Sequence, residues 1–202
     1  MIISVPALNA QPAGYTPIKD LANFKEQFTV IAQKTETIKS DFTQEKNLSM
    51  LSEKIISRGK FWFKKDNRLR MEYDTPFKYL VILNSGNMYI KDDKKETTVS
   101  LKSSKIFQQI NKIILDCVQG AVFNNPDFIT NVYENKAAYM VELSPVAKTL
   151  REFFTTIEVV IDKKDYSVTT IEMNEDSGDN TVLHFTNREL NTTVPDALFS
   201  IK

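Results

Sequence analysis

The stretch GKFWFKKDNRLRMEYDTP, residues 59–76, decides the fold of this chain. Apolar and polar side chains alternate in two runs on either side of residues 65–67, and a period of two is typical of a β-strand with one buried face. Residues 65–67 are Lys, Asp and Asn, of which the last two favour tight turns. The stretch therefore predicts a β-hairpin whose apolar face is formed by Phe61, Phe63, Leu69, Met71 and Tyr73.

The same alternation continues along most of the chain. It begins near Ile38 and returns after the hairpin at 79–83, 87–91, 97–101, 128–133, 139–143, 156–161, 167–173 and 181–186. Shorter helical turns are expected at 118–123 and 147–154. Strands this short and this regularly spaced predict an α+β fold, mainly β, built on an antiparallel sheet that is large enough to curl.

Two segments have the three- and four-residue period of an amphipathic helix instead. The first covers residues 17–35, with Pro17 and Asp20 as start signals, and the second begins at Ser103 or Ser104. The apolar stripe of the second helix consists of Ile106, Phe107, Ile110, Ile113, Ile114 and Cys117. A sheet with one apolar face needs a cover, so we expect both helices in the concavity of an open half-barrel. A flat sheet with helices on one side is the alternative.

The composition excludes several classes of function. The 26 basic and 26 acidic residues of this 202-residue chain cancel, so no basic field indicates a nucleic acid or an anionic membrane as partner. One cysteine, Cys117, and one histidine, His184, cannot form an intrachain disulfide or a structural zinc site. The five glycines stand apart and make no phosphate-binding loop. We therefore expect no cofactor and no metal, which leaves a binding protein or a carboxylate-only enzyme.

Catalysis finds little support in the remaining residues. The acidic residues at 92–96, 162–165 and 172–179 fall at strand ends and turns, where solvated charge explains them without an acid/base pair. His184 lies in a strand pattern, with no second histidine and no GxSxG motif in the chain. We expect that the protein is not an enzyme and has no catalytic residue; a carboxylate-based hydrolase is a distant alternative.

The N-terminal segment differs from the rest of the chain. Residues 2–8 are apolar but too few to span a bilayer, which takes about 20 residues. The segment resembles the end of a secretory signal, with Ala10 in the last position before a cleavage at Gln11. We interpret residues 1–14 as a signal-peptide remnant or a disordered N-terminus, and residues 15–202 as one exported domain that acts as a monomer.

Four segments together resemble one protein family. They are FTQEKN at 42–47, GKFWFKKDNRLRMEYDTP at 59–76, NSG at 84–86 and PDALFSI at 195–201. In combination they are similar to the periplasmic outer-membrane lipoprotein carrier family, LolA. That family carries an F-x-Q strand, a G-x-[FL]-x-[FV]-x-R-P strand, a Y-x-x-P step and a final proline-to-phenylalanine strand. The sequence also resembles the branch of the family found in Bacteroides-type bacteria.

The resemblance implies a half-barrel of about eleven antiparallel strands, with helices as a lid over an apolar cavity. Members of the family are chaperones that shield the acyl chains of lipoproteins in the periplasm. They carry this cargo from an inner-membrane lipoprotein-releasing ABC transporter to an outer-membrane acceptor or to the outer membrane itself. From the residues alone the apolar face is an ordinary core; the resemblance implies a lipid-binding cavity lined by Phe61, Phe63, Leu69, Met71, Tyr73, Ile106, Phe107, Ile110, Ile113 and Ile114.

Two positions depart from the family pattern. The arginine that holds the lid in the family, and the proline after it, correspond to Lys65 and Asp66 here, and Met71 stands in place of a tryptophan. Lys65 lies on the apolar side of its strand, so its ammonium can point towards the carbonyl groups of a lid helix. Arg68 and Arg70 are the other candidates for this latch role. A carrier or sensor of another lipid or glycolipid on the same half-barrel is the alternative function.

Overall fold

A single antiparallel sheet contains all strands in the described part of the chain. The computed structural model describes residues 12–50, 53–101, 113, 116 and 121–201. The strands are β1 (Thr16–Pro17), β2 (Thr37–Leu48), β3 (Glu53–Lys64), β4 (Arg68–Thr75), β5 (Tyr79–Asn84), β6 (Asn87–Lys91), β7 (Glu96–Ser100), β8 (Phe128–Glu134), β9 (Ala138–Pro145), β10 (Thr156–Asp162), β11 (Val168–Asn174) and β12 (Asn180–Leu190). The helices are α1 (Leu21–Lys34) and the single turn α2 (Lys148–Arg151), with 3-10 turns at Val122–Asn124 and Asp196–Phe199.

The sheet is open rather than closed into a barrel. Its strand order is β1-β8-β9-β10-β11-β12-β2-β3-β4-β5-β6-β7, so β1 and β7 are its two edges. The sheet consists of two meanders of sequential strands, β2 to β7 and β8 to β12. They are joined by the pairing of β12 with β2, in which Phe185 lies opposite Phe42. The predicted half-barrel, mainly β, is confirmed. The strand beyond the expected eleven is the two-residue β1, which pairs with Tyr133 and Glu134 of β8.

Residues 59–76 form the hairpin of β3 and β4 that the alternation predicts. The cross-strand neighbours on its apolar face are Phe61 and Met71, then Phe63 and Leu69. The register shifts between Arg58 and Gly59, and a Cβ atom at Gly59 would stand 2.0 Å from the carbonyl oxygen of Glu72. The motif therefore needs glycine at this position, because the backbone of β4 approaches closely.

Helix α1 begins later than its sequence pattern predicts. Pro17 belongs to β1, and the helix is capped by Asp20, whose carboxylate accepts the backbone N–H of Asn23 at 3.0 Å. Proline suits both a first helical turn and an edge strand, and pairing with β8 decides between them here. Of the shorter helical turns expected, 122–124 form a 3-10 turn and 148–151 form α2.

Two predicted features fall largely outside the described residues. Most of the proposed signal-peptide remnant lies in residues 1–11, and the second amphipathic helix is described only at Ile113 and Asp116. Ile113 is helical and 4% exposed, and it belongs to the main hydrophobic core. No helix in the described ranges is both long and apolar enough to cross a membrane.

The two faces of the sheet are covered by different elements. The inner face carries the main hydrophobic core, and Phe24 and Phe28 of α1 are buried within it. The outer face of β3, β5 and β6 is covered by the C-terminal segment, residues 194–201, in which Phe199 is fully buried in a second cluster with Ile82 and Tyr89.

Charged groups fix the C-terminal segment to the outer face. One carboxylate oxygen of Asp196 lies 2.6 Å from Nζ of Lys64 and 2.7 Å from a guanidinium nitrogen of Arg68. The resemblance implies a strand at 195–201. This prediction is wrong, because Asp196–Phe199 form a 3-10 turn. Within that turn the backbone N–H of Leu198 donates to the carbonyl oxygen of Pro195, and the carbonyl oxygen of Leu198 accepts from the side chain of Arg70, so a local bond and a side chain take the place of backbone pairing with a strand.

Three glutamates lie side by side on the outer face of β9, β10 and β11. Glu158 is opposite Glu142 on one side and opposite Glu172 on the other. Burial, together with the carboxylates of Glu172 and Glu142, raises the pKa of Glu158 above its ordinary value. Like charges directly opposite each other destabilise a sheet. The row is therefore a cost to the fold at neutral pH.

The substitution Glu158→Gln should raise the free energy of unfolding at pH 7 by about 0.5–1 kcal/mol. A folded-state pKa above the unfolded value means that the ionised carboxyl costs stability at neutral pH, and that this cost is absent below the unfolded pKa. The gain should therefore disappear as the pH falls to about 4. Urea unfolding across this range measures it, with the exposed Glu152→Gln as control; equal effects of the two substitutions at pH 7 would contradict the repulsion.

Candidate functional site

Helix α1 rests on the inner face of the half-barrel through phenylalanine rings. The ring centroid of Phe24 lies 4.2 Å from that of Tyr139 on β9 and 5.4 Å from that of Phe123. The ring of Phe28 lies 5.6 Å from that of Phe123. A four-residue spacing places both phenylalanines on one side of the helix. An amphipathic helix thus lies across an apolar surface of the sheet.

A cavity of about 60 Å³, called the α1 cavity below, remains between this helix and the sheet. Its walls include Phe28 and Ile31 of α1 and, on the sheet, Ile38, Phe61 and Phe185. This cavity has room for only a few water molecules. It is too small to enclose a long acyl chain, so enclosing one requires α1 to shift.

The predicted cavity residues of the first hairpin lie together on the inner face. Those buried in the main core are Phe61, Phe63, Leu69 and Met71, and Tyr73 is partly buried against it. Phe61 also lines the α1 cavity. Of the residues predicted on the second helix, Ile113 lies in the same core, whereas Ile106, Phe107, Ile110 and Ile114 fall outside the described residues. That these residues bind lipid stays a prediction.

Tyr73 places a hydroxyl group on this apolar face. Its Oη donates to Oε1 of Gln44 at 2.9 Å, and its ring lies 4.9 Å from that of Phe42. Burial, with a smaller effect from Tyr79, raises the pKa of Tyr73 to about 12. The phenol is therefore neutral at physiological pH and adds no charge to the inner face.

Lys65 reaches the C-terminal end of α1. Its Nζ donates to the carbonyl oxygen of Gln33 at 3.0 Å and to Oε1 of Glu36 at 2.6 Å, and its backbone N–H donates to the carbonyl oxygen of Glu36 at 2.8 Å. The last carbonyls of a helix have no partner within the helix and carry partial negative charge, so a cation there is stabilising. Lys65 lies where the latch hypothesis requires it.

Arg68 and Arg70 lie on the opposite face from Lys65. Arg68 donates through Nε and Nη2 to the carbonyl oxygen of Lys65, both at 3.2 Å, and pairs with Asp196. Arg70 donates to the carbonyl oxygen of Leu198 at 3.1 Å. Successive side chains of a strand alternate between faces, so both arginines contact the C-terminal segment and the structure does not bring them to α1. Arg68 supports the latch only by fixing the loop that carries Lys65.

Some residues of this site were missed by the sequence reasoning. Ser40 lines the α1 cavity, and the alternation from Ile38 to Phe42 would have placed it on the inner face. Arg188 also lines the cavity, but it does so through a register shift between Thr186 and Glu189 that no sequence pattern indicates.

The histidine of the chain takes no part in this site. His184 lies in β12 opposite Thr170, and the Thr170 hydroxyl is 3.2 Å from its Nδ1. Within the described ranges, no group of three or more His, Cys, Asp or Glu residues is placed to hold a metal ion. What the site offers is an apolar surface, a cover in the form of a helix, and polar groups at the helix end.

A family model matches most of this chain. The model is described as outer membrane lipoprotein carrier protein LolA, and it matches residues 33–202. The chain belongs to the LolA family. No curated protein sequence matches it significantly. Membership of a Bacteroides-type branch stays a prediction.

Several solved structures are similar to this chain at low sequence identity. A conserved protein from Thermus thermophilus is 8% identical with a TM-score of 0.52, and the match covers 88% of this chain and 93% of that one. The MucA/MucB complex of Pseudomonas aeruginosa matches at 10% identity with a TM-score of 0.51, over 89% of this chain and 60% of that one. A LolA superfamily protein from Nitrosomonas europaea matches at 9% identity with a TM-score of 0.45, over 88% and 97% of the two chains. The first two likenesses bear on the fold alone.

The turn geometry accounts for the departure from the Arg-Pro pair of the LolA family. Asp66 and Asn67 adopt left-handed backbone angles, with φ of 68° and 60°. Proline is fixed near φ of about −65° and cannot take this conformation, whereas Asp and Asn tolerate it. The β3–β4 turn therefore differs from the family pattern but still presents a cation, Lys65, to the end of α1.

We expect Lys65→Ala to loosen α1 and Lys65→Arg to tighten it. Because the Lys65 side chain is 45% exposed, the ion pair and hydrogen bond should contribute only about 0.5–1 kcal/mol, or about two- to fivefold in the opening of the helix. Hydrogen exchange of the α1 amides measures this opening. The control is Lys39→Ala, which removes an exposed ion pair with Glu189 on the outer face; the latch role fails if Lys65→Ala and Lys39→Ala leave exchange in α1 equally unchanged.

Proposed function

We propose that this LolA-family protein is a periplasmic chaperone that carries lipoproteins from an inner-membrane lipoprotein-releasing ABC transporter to the outer membrane. It shields their acyl chains on the inner face of the half-barrel, under α1. The protein binds and releases its cargo without any covalent step. Family membership supports this proposal, and so does the apolar surface beneath α1.

The observation that carries the proposal is the way in which α1 covers the sheet. The helix lies on the inner face by ring contacts that are apolar and without strict direction, such as that of Phe24 with Tyr139. The hydrogen bond from Lys65 holds the helix at its C-terminal end. A helix held in this way can move aside as one unit and expose a continuous apolar surface.

The energetics favour a cover that competes with the cargo. Each buried CH₂ group is worth about 0.8 kcal/mol, so full burial of a roughly 16-carbon chain gives about 12 kcal/mol. A carrier that retained all of this energy would not release its cargo. On this proposal α1 leaves the inner face as a chain binds, so the loss of its own apolar contacts offsets part of the gain. Net affinity then falls into a range in which transfer is possible.

The proposal is tested by the release of newly made, epitope-tagged lipoprotein from spheroplasts. Adding the purified protein should move the lipoprotein from the membrane to the medium as a soluble one-to-one complex, because the acyl chains are shielded from water. Lys39→Ala should act like the unaltered protein, since this residue lies on the outer face away from α1.

Two results would count against the proposal. Lipoprotein that stays with the membrane at every protein concentration would contradict carriage. If the protein isolated from the periplasm holds a lipid or glycolipid and no lipoprotein by mass spectrometry, the half-barrel serves another lipid.

A further inference from the structure

A serine hydroxyl without a described partner stands in the wall of the α1 cavity, beside apolar residues of the sheet. Ser40 lies on the inner face of β2 opposite Phe61, lines the cavity and is 3% exposed. Its Oγ has no hydrogen-bond partner among the residues that the structure describes. A buried hydroxyl without a partner costs free energy, so this position is explained if the hydroxyl acquires a partner in another state of the protein.

A β-bulge creates the space in front of this hydroxyl. On β12, Thr186 pairs with Asp41 and Glu189 with Lys39, so the residues between them form the bulge next to Ser40. Bulges often re-aim a side chain next to a functional site. Here Arg188 comes to line the same cavity.

The charges around Arg188 decide what kind of polar group fits. Its Nε donates to Oγ of Ser167 at 2.7 Å, and Nη1 donates to the carbonyl oxygen of Phe185 at 3.2 Å. Nη2 lies 3.3 Å from a carboxylate oxygen of Asp162 and 3.9 Å from one of Asp165. One guanidinium thus faces two carboxylates, and this end of the cavity has no excess positive charge for an anion. A neutral hydrogen-bond acceptor fits better than a carboxylate.

We propose that the Ser40 hydroxyl donates a hydrogen bond to the carbonyl oxygen of an acyl ester or acyl amide. The carbonyl end of an acyl chain then lies against the sheet residues that now wall the α1 cavity, while the rest of the chain lies along the inner face that α1 vacates. This inference rests on the proposed carrier function and adds a chemical preference to it. The site selects acyl groups that are attached through an ester or amide over free fatty acids and over alkyl chains without a carbonyl.

Three lipids of equal chain length test the preference on the purified full chain by titration calorimetry: 1-palmitoylglycerol, its ether counterpart 1-O-hexadecylglycerol, and palmitate. The ester should bind about five- to tenfold more tightly than the ether, the usual worth of one hydrogen bond in a desolvated site. Palmitate should bind more weakly than the ester at pH 8, where it is ionised.

Ser40→Ala should bring the ratio of the ester affinity to the ether affinity to about one, without weakening the binding of the ether. It should also need more denaturant to unfold, because an unpaired buried hydroxyl is removed. Thr192→Val is the matched control, since Oγ1 of Thr192 is likewise buried without a described partner but Thr192 does not line the α1 cavity. This substitution should also stabilise the fold while keeping the ester preference.

The possible outcomes separate this inference from the carrier function. Equal binding of ester and ether by the unaltered protein would overturn the role of Ser40 while leaving acyl-chain binding intact. Tighter binding of palmitate than of the ester would overturn the preference for a neutral carbonyl. If none of the three lipids binds, this inference fails, while the release of lipoprotein from spheroplasts decides the carrier function separately.

Discussion

The apolar inner face of an open sheet has to be kept out of water, and the rest of this structure depends on that constraint. The twelve strands in the described residues leave two edges, β1 and β7, so the sheet does not bury its inner face by closing on itself. Helix α1 supplies part of the missing cover, with Phe24 and Phe28 in the main core. Contact between apolar surfaces is not directional, and on the proposed function an acyl chain takes the place of the helix on the same surface.

The two faces of the sheet are held in physically different ways. On the outer face, Asp196 lies between the cations of Lys64 and Arg68, and the guanidinium of Arg70 binds a carbonyl of the same C-terminal segment. These charge-assisted bonds act together with the buried ring of Phe199. On the inner face, the rings of Phe24 and Phe28 hold α1 and Lys65 binds its C-terminal end. We propose that the cover that moves is the one over the apolar surface.

The sequence predicts most of the sheet because a period of two is a local property of the chain. The same alternation that places Leu69 and Met71 on the inner face sends Arg68 and Arg70 to the outer one, so only Lys65 could reach the helix. Features that depend on distant contacts were not predictable. The strand at Pro17 is decided by pairing with β8, and the position of Arg188 by a bulge against β2. Pro195 precedes a 3-10 turn and Pro17 lies in a strand. Proline by itself therefore does not distinguish a strand from a turn or from the start of a helix.

The central claim is that α1 leaves the inner face when an acyl chain binds. Two spin labels measure the distance between α1 and the sheet. One is attached at Gln27→Cys, on the exposed side of α1, and the other at Lys60→Cys, on the outer face of β3, with the native cysteine removed by Cys117→Ser. Pulsed electron paramagnetic resonance should show a single short distance between the two labels in the absence of cargo. Addition of a synthetic triacylated lipopeptide should produce a second, longer distance. The fraction of molecules that show it should increase until one equivalent of lipopeptide has been added. An unchanged distance in a protein that demonstrably holds the lipopeptide would contradict the account.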